Sequence, residues 1–166
     1  MTRTPLAVFR RLTTGVYVIG VAHARQTNAF TAAWLMQVAF DPLLVALSVN
    51  TTNASYPLLE ASGAFVINVL REHQLELAKH FGTRSGRDGN KLDGVRWRAG
   101  QFGAPVLSEA AAFLECRITS RAQAGDHAVV IAEVVDGAVL EEDATPMRYD
   151  ETGDMDGSSE LYPAAF

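Results

Sequence analysis

The chain has 166 residues, of which 48% are hydrophobic and 20% charged, and its formal net charge is -5 at pH 7. This length and composition fit one globular domain that buries a sizeable core. The negative charge argues against nucleic-acid binding, which needs a dense patch of Lys and Arg.

The single cysteine and the distribution of apolar residues indicate the cellular compartment in which we expect the protein. Cys116 cannot form an intrachain disulfide framework or a multi-thiolate metal site. The N-terminal sequence MTRTPLAVFRR lacks the apolar segment of a signal peptide, and no apolar run reaches the roughly 20 residues that span a bilayer. We therefore expect a cytoplasmic protein with no membrane partner.

The residue pattern in the first third of the chain predicts mainly strands. Gly15–Ala22 is β-branched and aromatic, which predicts a strand buried on both faces, and the polar segment 23–27 is short enough for a hairpin connection. In segment 28–33 the side chains are small or carry hydroxyls, apart from Phe30. Small side chains let a flat ligand approach the backbone closely.

A corner at Asp41-Pro42 precedes the strand Leu43–Asn50, because the residue before a proline avoids the α region. One face of this strand changes from apolar residues to Ser48 and Asn50 at its C-terminal end. A ligand with an apolar body and a polar tail suits that face. A strand that simply runs out into solvent fits the spacing equally well.

The segment Tyr56–Ser62 predicts a short helix, which Asn53 or Ser55 caps at its start and Gly63 ends. Proline at the second position of this segment favours a helix start. A strand is predicted to follow directly after the glycine.

That next strand, Phe65–Leu70, contains one polar residue, Asn68, which needs a hydrogen-bond partner that is most often a backbone group. The following segment EHQLELAKHFG predicts an amphipathic helix that ends at Gly82, with Leu75 on its inner face. Lys79 and His80 fall in its last turn, where cations suit the helix dipole.

The second half begins with a Gly-rich and charged segment, 83–103, which predicts either a functional lid or a mobile excursion. Its basic residues are interrupted by acidic ones and are interpreted as a solvated loop; they are Arg84, Arg87, Lys91, Arg96 and Arg98. Strands are predicted at 113–119 and 127–135, and Asp136-Gly137 is a hairpin signal. Beyond Glu141 the chain is acidic and predicts an extended tail.

About six strands, few helices and no βαβ alternation favour an antiparallel barrel over a Rossmann sheet. The sequence contains no G-x-G-x-x-G, no phosphate-binding P-loop and no G-x-S-x-G elbow. The histidines show no H-E-x-x-H spacing, so no metal site is expected. The triplet Gly125-Asp126-His127 precedes a strand and by itself indicates a turn followed by an exposed strand-end histidine.

Together, these segments resemble the flavin reductase family of the FMN-binding split barrel. The blocks that carry the resemblance occur in order and cover roughly residues 7 to 150; they are FRRLTTGVYVIG, NAFTAAWLMQVAFDPLLVALSVN, YPLLEASGAFVINVL, LAKHFG, GAPVL, FLECRI and AGDHAVVIAEV. The resemblance implies a mainly β, antiparallel Greek-key split β-barrel with a few short helices that forms a homodimer. It implies a domain at 1–150 and a C-terminal tail extension at 151–166.

The resemblance also implies roles for residues. Segment 28–33 would contact the isoalloxazine ring, and residues 48–50 would contact the ribityl chain. Ser55 would bind the phosphate. His127, the one catalytic candidate, would contact the nicotinamide. The implied cofactor-binding residues are Asn28, Ala29, Phe30, Thr31, Ala32, Ala33, Ser48, Val49, Asn50, Ser55, Lys79, His80, Phe81 and His127. Many members have serines where this chain has Ala32, Ala33 and Trp34, which leaves backbone groups to bond flavin N5.

The implied activity is an NAD(P)H-dependent flavin reductase, an enzyme that transfers a hydride from NADH or NADPH to FMN, or to FAD. Reduced flavin or electrons would go to a partner oxygenase or another acceptor. Alternatives on the same fold are a flavin-binding oxidase, a haem-binding split-barrel protein and a non-catalytic flavin carrier. We further hypothesise that the acidic tail crosses to the other subunit and closes the nicotinamide side.

Overall fold

The structure is a computed structural model and describes residues 3–166. This part of the chain forms nine strands, three α-helices and two short 3-10 turns. The strands are β1 Tyr17–His23, β2 Gln26–Ala32, β3 Leu35–Phe40, β4 Leu43–Asn50, β5 Ala64–Val69, β6 Trp97–Ala99, β7 Pro105–Leu107, β8 Ala112–Ala124 and β9 His127–Val139. The helices are α1 Pro5–Phe9, α2 Tyr56–Ser62 and α3 Leu75–Thr83, and the 3-10 turns are Tyr149–Thr152 and Ser158–Leu161.

Seven strands form one sheet in the order β2-β1-β5-β8-β9-β4-β3, and every neighbouring pair is antiparallel. The short strands β6 and β7 form a separate antiparallel ribbon. The mainly β, antiparallel architecture with few helices is therefore confirmed. The Greek-key connectivity, the homodimer and the division at residue 150 stay predictions.

The main core lies on the inner face of the curved sheet. It gathers buried side chains from strands β1, β2, β4, β5, β8 and β9; the largest include Ile19, Phe30, Leu47, Phe65 and Ile67. Strands from both ends of the sheet share this core, so burial of their apolar side chains holds the sheet in its curved form. The ends of β2 and β4 thereby lie near one another.

A second core fixes α3 against the outer face of β1 and β2. Ala78 and Phe81 of the helix pack with Val18, Ala29 and Met147, and all five are at most 2% exposed. Leu75 departs from the prediction: it is 36% exposed, and the helix continues past Gly82 to Thr83. The helix end that the sequence places near a ligand therefore rests directly on β2.

The predicted backbone partner of Asn68 is confirmed. Its side-chain amide donates to the carbonyls of Val18 and Pro105, at 3.0 Å and 3.1 Å, and its Oδ1 accepts from the Leu107 N–H at 2.7 Å. Asn68 is fully buried and joins the β6–β7 ribbon to the main sheet. It is a structural residue.

Helix α2 has the predicted bounds, and Gly63 ends it in the left-handed conformation at φ 64°. Of the two predicted caps, Ser55 makes no side-chain cap hydrogen bond, whereas the Asn53 Oδ1 accepts from the Ser55 N–H at 2.9 Å just before the helix. The Asp136-Gly137 hairpin prediction is wrong, because both residues lie inside β9 opposite β8. A Cβ at Gly137 would lie 2.8 Å from the Phe113 carbonyl oxygen, so a close approach of strands, and not a turn, accounts for this glycine.

The acidic tail returns to its own barrel in the structure, contrary to the hypothesis that it crosses to another subunit. Arg10 pairs with Asp154 at 3.6 Å, and the rings of Phe9 and Tyr162 are 5.8 Å apart. Both contacts tie the tail to the N-terminal segment. Within residues 3–166 no helix has the length and apolar character needed to cross a membrane.

Candidate functional site

A groove runs past the ends of β2 and β4 and along the C-terminal end of α3. Its first part, which we call the ring chamber, has a volume of about 300 Å³. Its walls come from β2, the β2–β3 connection, the end of β4, the start of β9 and the tail; they include Thr31, Ala33, Trp34, Ser48, His127 and Met155. Segments that are far apart in sequence thus meet at one cavity.

The close packing of α3 on β2 shapes one wall of the ring chamber. The hydroxyl of Thr31 donates to the carbonyl of Ala78 at 2.6 Å. A Cβ at Gly82 would lie 3.3 Å from the Thr31 Cβ and 3.5 Å from the Met155 Cε, so glycine keeps this wall open. Since its proton is committed to α3, the Thr31 oxygen is left to accept a hydrogen bond from a ligand.

His127 stands at the opposite wall of the ring chamber, at the start of β9. Its Nδ1 bonds the Asp126 carboxylate at 2.7 Å, and its ring centroid lies 4.9 Å from that of Trp34. The hydrogen bond and charge of His127 lower the pKa of Asp126. Because Nδ1 is held by the carboxylate, Nε2 is the nitrogen left to contact a ligand.

The polar end of β4 leads out of the ring chamber. The Ser48 N–H donates to the Trp34 carbonyl at 2.9 Å, which ties β4 to the β2–β3 connection. The Asn50 Oδ1 accepts from the N–H and the hydroxyl of Thr52, at 2.9 Å and 2.8 Å. This local turn brings Thr52 and Asn53 to the mouth of a second cavity.

The second cavity, which we call the phosphate chamber, has a volume of about 270 Å³ and shares Phe30, Thr31, Asn53 and Gly82 with the ring chamber. Its remaining walls are polar or cationic; they include Thr52, Thr83, Arg84, Ser85, Arg87 and Lys91. The two cavities are therefore parts of one groove. One part has small and aromatic walls, and the other has cationic walls.

Lys91 is the most buried cation of the groove, with 5% of its surface exposed. Its Nζ donates to the Phe81 carbonyl at 3.1 Å, and the His80 Nε2 lies 2.6 Å from the Lys91 carbonyl oxygen. Burial lowers the pKa of Lys91 to about 8. The predicted solvated loop is correct for Arg96 and Arg98, which are exposed, but wrong for Lys91.

The cations of the phosphate chamber have no acidic partner within the structure. Among residues 3–166, no carboxylate lies within 4.0 Å of the charged nitrogens of Arg84, Arg87 or Lys91. The Arg87 guanidinium donates one long hydrogen bond, 3.4 Å, to the Thr52 carbonyl. Unpaired cations beside backbone donors form a site that suits a phosphate group.

Most of the sequence-predicted residues meet at the groove. The ring chamber contains Phe30, Thr31, Ala32, Ala33, Ser48, Val49, Asn50 and His127, and Phe81 lines the phosphate chamber. Ala29 is buried in the second core, Asn28 lines a further cavity beside Gly86, and His80 holds the loop through Lys91. Ser55 is fully buried and its hydroxyl has no partner, whereas Lys79 is exposed and lines neither chamber.

Sequence reasoning missed two sets of residues at the groove. The first is Thr52, Asn53, Arg84, Arg87 and Lys91 at the phosphate chamber, and the second is Tyr149, Met155, Asp156, Ser158 and Leu161 of the tail at the ring chamber. Neither set shows hydrophobic periodicity or a motif. For the first set the usable signal was the length of segment 83–103, which is unusual for a structureless loop. The tail was expected to close the nicotinamide side, but on the other subunit and without named residues.

Residues 9–157 match the model of the flavin reductase like domain. The chain belongs to this family. A relative is the reductase subunit HsaB of a flavin-dependent monooxygenase from Mycobacterium tuberculosis, which is 30% identical over 132 residues, or 80% of this chain and 69% of that protein. Membership confirms the resemblance and its split-barrel fold.

Other members of the family are much longer. Putative diflavin flavoprotein A 3 from Nostoc sp. is 33% identical over 135 residues, which are 81% of this chain but 24% of that protein. The chain thus spans about a quarter of the diflavin flavoproteins that it matches. The similarity to those proteins is therefore confined to one part of each of them.

Among solved structures, the NADH:FAD oxidoreductase of Streptomyces globisporus C-1027 superposes with a TM-score of 0.81 at 29% identity. The superposition covers 87% of this chain and 86% of that one. A second structure of the same protein, with NAD and FAD fragments, gives a TM-score of 0.80. The fold of the chain is therefore that of a flavin reductase over nearly its whole length.

Proposed function

We propose that the chain is an NAD(P)H:flavin oxidoreductase whose flavin lies along the groove. The observation that carries the proposal is the union of the ring chamber with the phosphate chamber through four shared residues. A flavin has an apolar ring, a hydroxylated chain and an anionic phosphate in that order. The groove offers apolar and small residues, polar strand-end groups and unpaired cations in the same order.

The ring chamber fits a flat ring system. Ala32 and Ala33 are small, and Gly82 leaves room where a side chain would press on Thr31 and Met155. Side-chain donors are scarce along this wall, because the Thr31 hydroxyl already donates to Ala78. Backbone N–H groups and the Ser48 hydroxyl are the donors that we assign to the polar edge of the ring.

The phosphate chamber would hold the ribityl-phosphate end. Lys91, Arg84 and Arg87 supply positive charge, and the turn at Thr52 and Asn53 supplies hydroxyl and amide groups. A phosphate beside Lys91 raises the pKa of the ammonium group back toward its ordinary value, since the bound anion favours the charged form. Binding therefore holds a proton on Lys91 at pH values near 8.

The bound flavin supplies the redox chemistry, because its ring accepts a hydride from NADH or NADPH. The chain positions the two partners. We assign His127 to the nicotinamide side, where the Asp126 carboxylate holds its ring and Trp34 packs against it. Met155 of the tail is partly buried at the chamber and helps to exclude water from the reacting faces, and Leu161 stands at the exposed rim.

The proposed hydride transfer requires no nucleophilic side chain, and the single thiol of the chain is unsuited to be one. Cys116 is fully buried in the main core, and burial with the nearby Glu115 raises its pKa to about 12. Catalysis in the proposed reaction is therefore a matter of orientation and exclusion of water.

The proposal includes a homodimer. The outer edge of β3 faces away from β4, and alternate side chains along this segment are exposed and apolar: Trp34 50%, Met36 65%, Val38 42% and Phe40 90%. An apolar row on a free edge strand is a surface that proteins normally cover. We assign a second copy of the chain to it, with Trp34 joining the dimer surface to the ring chamber.

The oxygenase partner proposed for the reduced flavin is supported by the monooxygenase reductase subunit among the relatives.

An absorbance experiment tests the function. The purified protein is titrated with FMN and with FAD, and NADH or NADPH is then added in air while absorbance at the nicotinamide and flavin bands is recorded. Flavin-dependent oxidation of NADH or NADPH is the expected result. A flavin that binds but is never bleached under anaerobic conditions would point to a carrier or an oxidase, and a haem absorption band would point to a haem protein.

A further inference from the structure

The groove does not end at the phosphate chamber. A third cavity, which we call the outer chamber, has a volume of about 570 Å³ and shares Ala54, Gly86 and Arg87 with the phosphate chamber. It shares no lining residue with the ring chamber. Its volume falls within the roughly 300–1,000 Å³ that small-molecule sites occupy. The three chambers therefore follow one another in a line, with the phosphate chamber in the middle.

Positive charge continues into the outer chamber. Arg87 lies at the boundary, and Arg25 stands at the β1–β2 turn, where it adopts φ 68°. Among the described residues 3–166, no carboxylate lies within 4.0 Å of the charged nitrogens of either arginine. The boundary and the far wall thus each carry an uncompensated guanidinium, which suits more than one phosphate group.

The other walls of the outer chamber suit a nucleoside. Pro57 and Leu58 give an apolar surface for a flat base, and Gln26 and Thr27 give polar side chains for its edge and sugar. A Cβ at Gly86 would overlap the side-chain amide of Asn28, so glycine lets the 84–91 loop lie directly on β2. This contact fixes the wall that separates the outer chamber from the phosphate chamber.

We propose that the outer chamber binds the adenylate half of the flavin substrate, so that this chain takes FAD in preference to FMN. The pyrophosphate would cross beside Arg87, and the adenosine would lie between Arg25 and Leu58. The proposal rests on the function proposed above. An adenylate could also come from the nicotinamide dinucleotide, but the outer chamber opens from the phosphate end of the groove and is separated from His127 by the whole flavin path.

Binding measurements on the intact chain test the proposal without reference to turnover. Flavin fluorescence or calorimetry gives the Kd for FAD and for FMN, and AMP serves as a competing probe that lacks both the ring and the FMN phosphate. FAD is expected to bind about tenfold or more tightly than FMN, and AMP to displace FAD but not FMN. Arg25→Ala is expected to weaken FAD about tenfold and to leave the Kd for FMN unchanged.

Arg96→Ala is the matched control, because Arg96 is exposed, pairs with Glu109 at 2.9 Å and lines none of the chambers. Arg87→Ala is a second variant that should weaken both flavins, and FAD more than FMN. Equal Kd values for the two flavins, or an Arg25→Ala variant that leaves FAD binding unchanged, would overturn the proposal. An Arg25→Ala variant that raises only the KM for NADH would also overturn it, and would assign the adenylate to the nicotinamide dinucleotide.

The two proposals fail separately. Oxidation of NADH with FMN at equal Kd values would leave the reductase function standing and remove the FAD preference. Tight FAD binding that depends on Arg25, without oxidation of NADH or NADPH, would support the outer chamber and remove the reductase function.

Discussion

The rings of Trp34 and His127 lie 4.9 Å apart, centroid to centroid, with an interplanar angle of 41°. Trp34 follows β2 and His127 begins β9, so this contact joins two segments that are separated by more than half of the chain. The Asp126 carboxylate holds the other side of the imidazole at Nδ1. His127 is therefore held on two sides at the ring chamber, as a residue that orients a substrate should be.

The first prediction concerns this histidine. His127→Ala should raise the KM for NADH or NADPH several-fold and leave the Kd for flavin nearly unchanged, because the phosphate chamber is far from the substitution along the groove. Steady-state kinetics and flavin titration measure the two quantities. His23→Ala, at an exposed strand end, is the control. Unaltered kinetics would remove His127 from the nicotinamide side.

The second prediction concerns the polar end of β4. Replacement of both Ser48 and Asn50 by Ala should weaken flavin binding by about 1–3 kcal/mol, the cost of hydrogen bonds lost to a charged or polar ligand. Part of the loss at Asn50 comes from the turn that it holds through Thr52. A fluorescence titration measures the change, and Ser120→Ala, exposed on β8, is the control. If the double variant bound flavin as the parent does, neither side chain would belong to the site.

The third prediction is a pH dependence set by Lys91. With a pKa of about 8, the ammonium group is charged at pH 7 and becomes neutral as the pH rises. Flavin affinity should therefore fall by about 1 kcal/mol between pH 7 and pH 9, as the phosphate loses a charged partner. Titrations across this range check the effect, and Lys91→Arg should abolish it because arginine stays charged.

Lys91 also affects the free energy of unfolding, and this effect has the opposite dependence on pH from its effect on flavin affinity. The folded state lowers the pKa of Lys91 from 10.5, so the unfolded state binds more protons between pH 8 and 10.5. This residue alone should thus make the unliganded protein more stable as the pH rises through that window. Chemical denaturation of the flavin-free protein measures the trend. A flavin affinity that is level from pH 7 to pH 9 would contradict the assignment of Lys91.

The fourth prediction concerns the tail. Deletion of residues 154–166 removes the Arg10–Asp154 ion pair, the Phe9–Tyr162 contact, and Met155 and Leu161 at the ring chamber. We expect flavin affinity to fall and oxidation of reduced flavin by oxygen to become faster, because the chamber opens to solvent. Titration and stopped-flow absorbance measure these effects. A truncated protein with the flavin affinity and activity of the full chain would show that the tail does not cover the site.

The fifth prediction concerns the dimer surface. Phe40→Lys places a charge in the exposed apolar row of β3, where Phe40 is 90% exposed, and should convert a dimer into a monomer. Analytical ultracentrifugation reports the change. Phe166→Lys is the matched control, since Phe166 is also largely exposed but lies at the end of the tail. A parent chain that sediments as a monomer would dispose of the homodimer.

The sequence predicts the parts of this site that depend on local alternation. Strand β4 has the predicted bounds, and its polar end at Ser48 and Asn50 lines the ring chamber, which is one of the two outcomes that the pattern left open. Helix α2 and its glycine end were predicted from turn and cap chemistry, which acts over a few neighbouring residues. The order of the family blocks gave the fold, and with it the placement of His127 beside β4.

Only the tertiary structure decided where the loop and the tail lie. In the sequence, Lys91 stands among charged residues and resembles its solvated neighbours; its burial depends on contacts with Phe81 and His80, and on Gly86 resting upon Asn28. The tail residues carry no periodic signal, and their position depends on contacts with Arg10 and Phe9 and on the packing of Tyr149 and Met155 against the second core. Local backbone preferences are recorded in neighbouring residues, whereas these contacts depend on how distant surfaces fit once the core has formed.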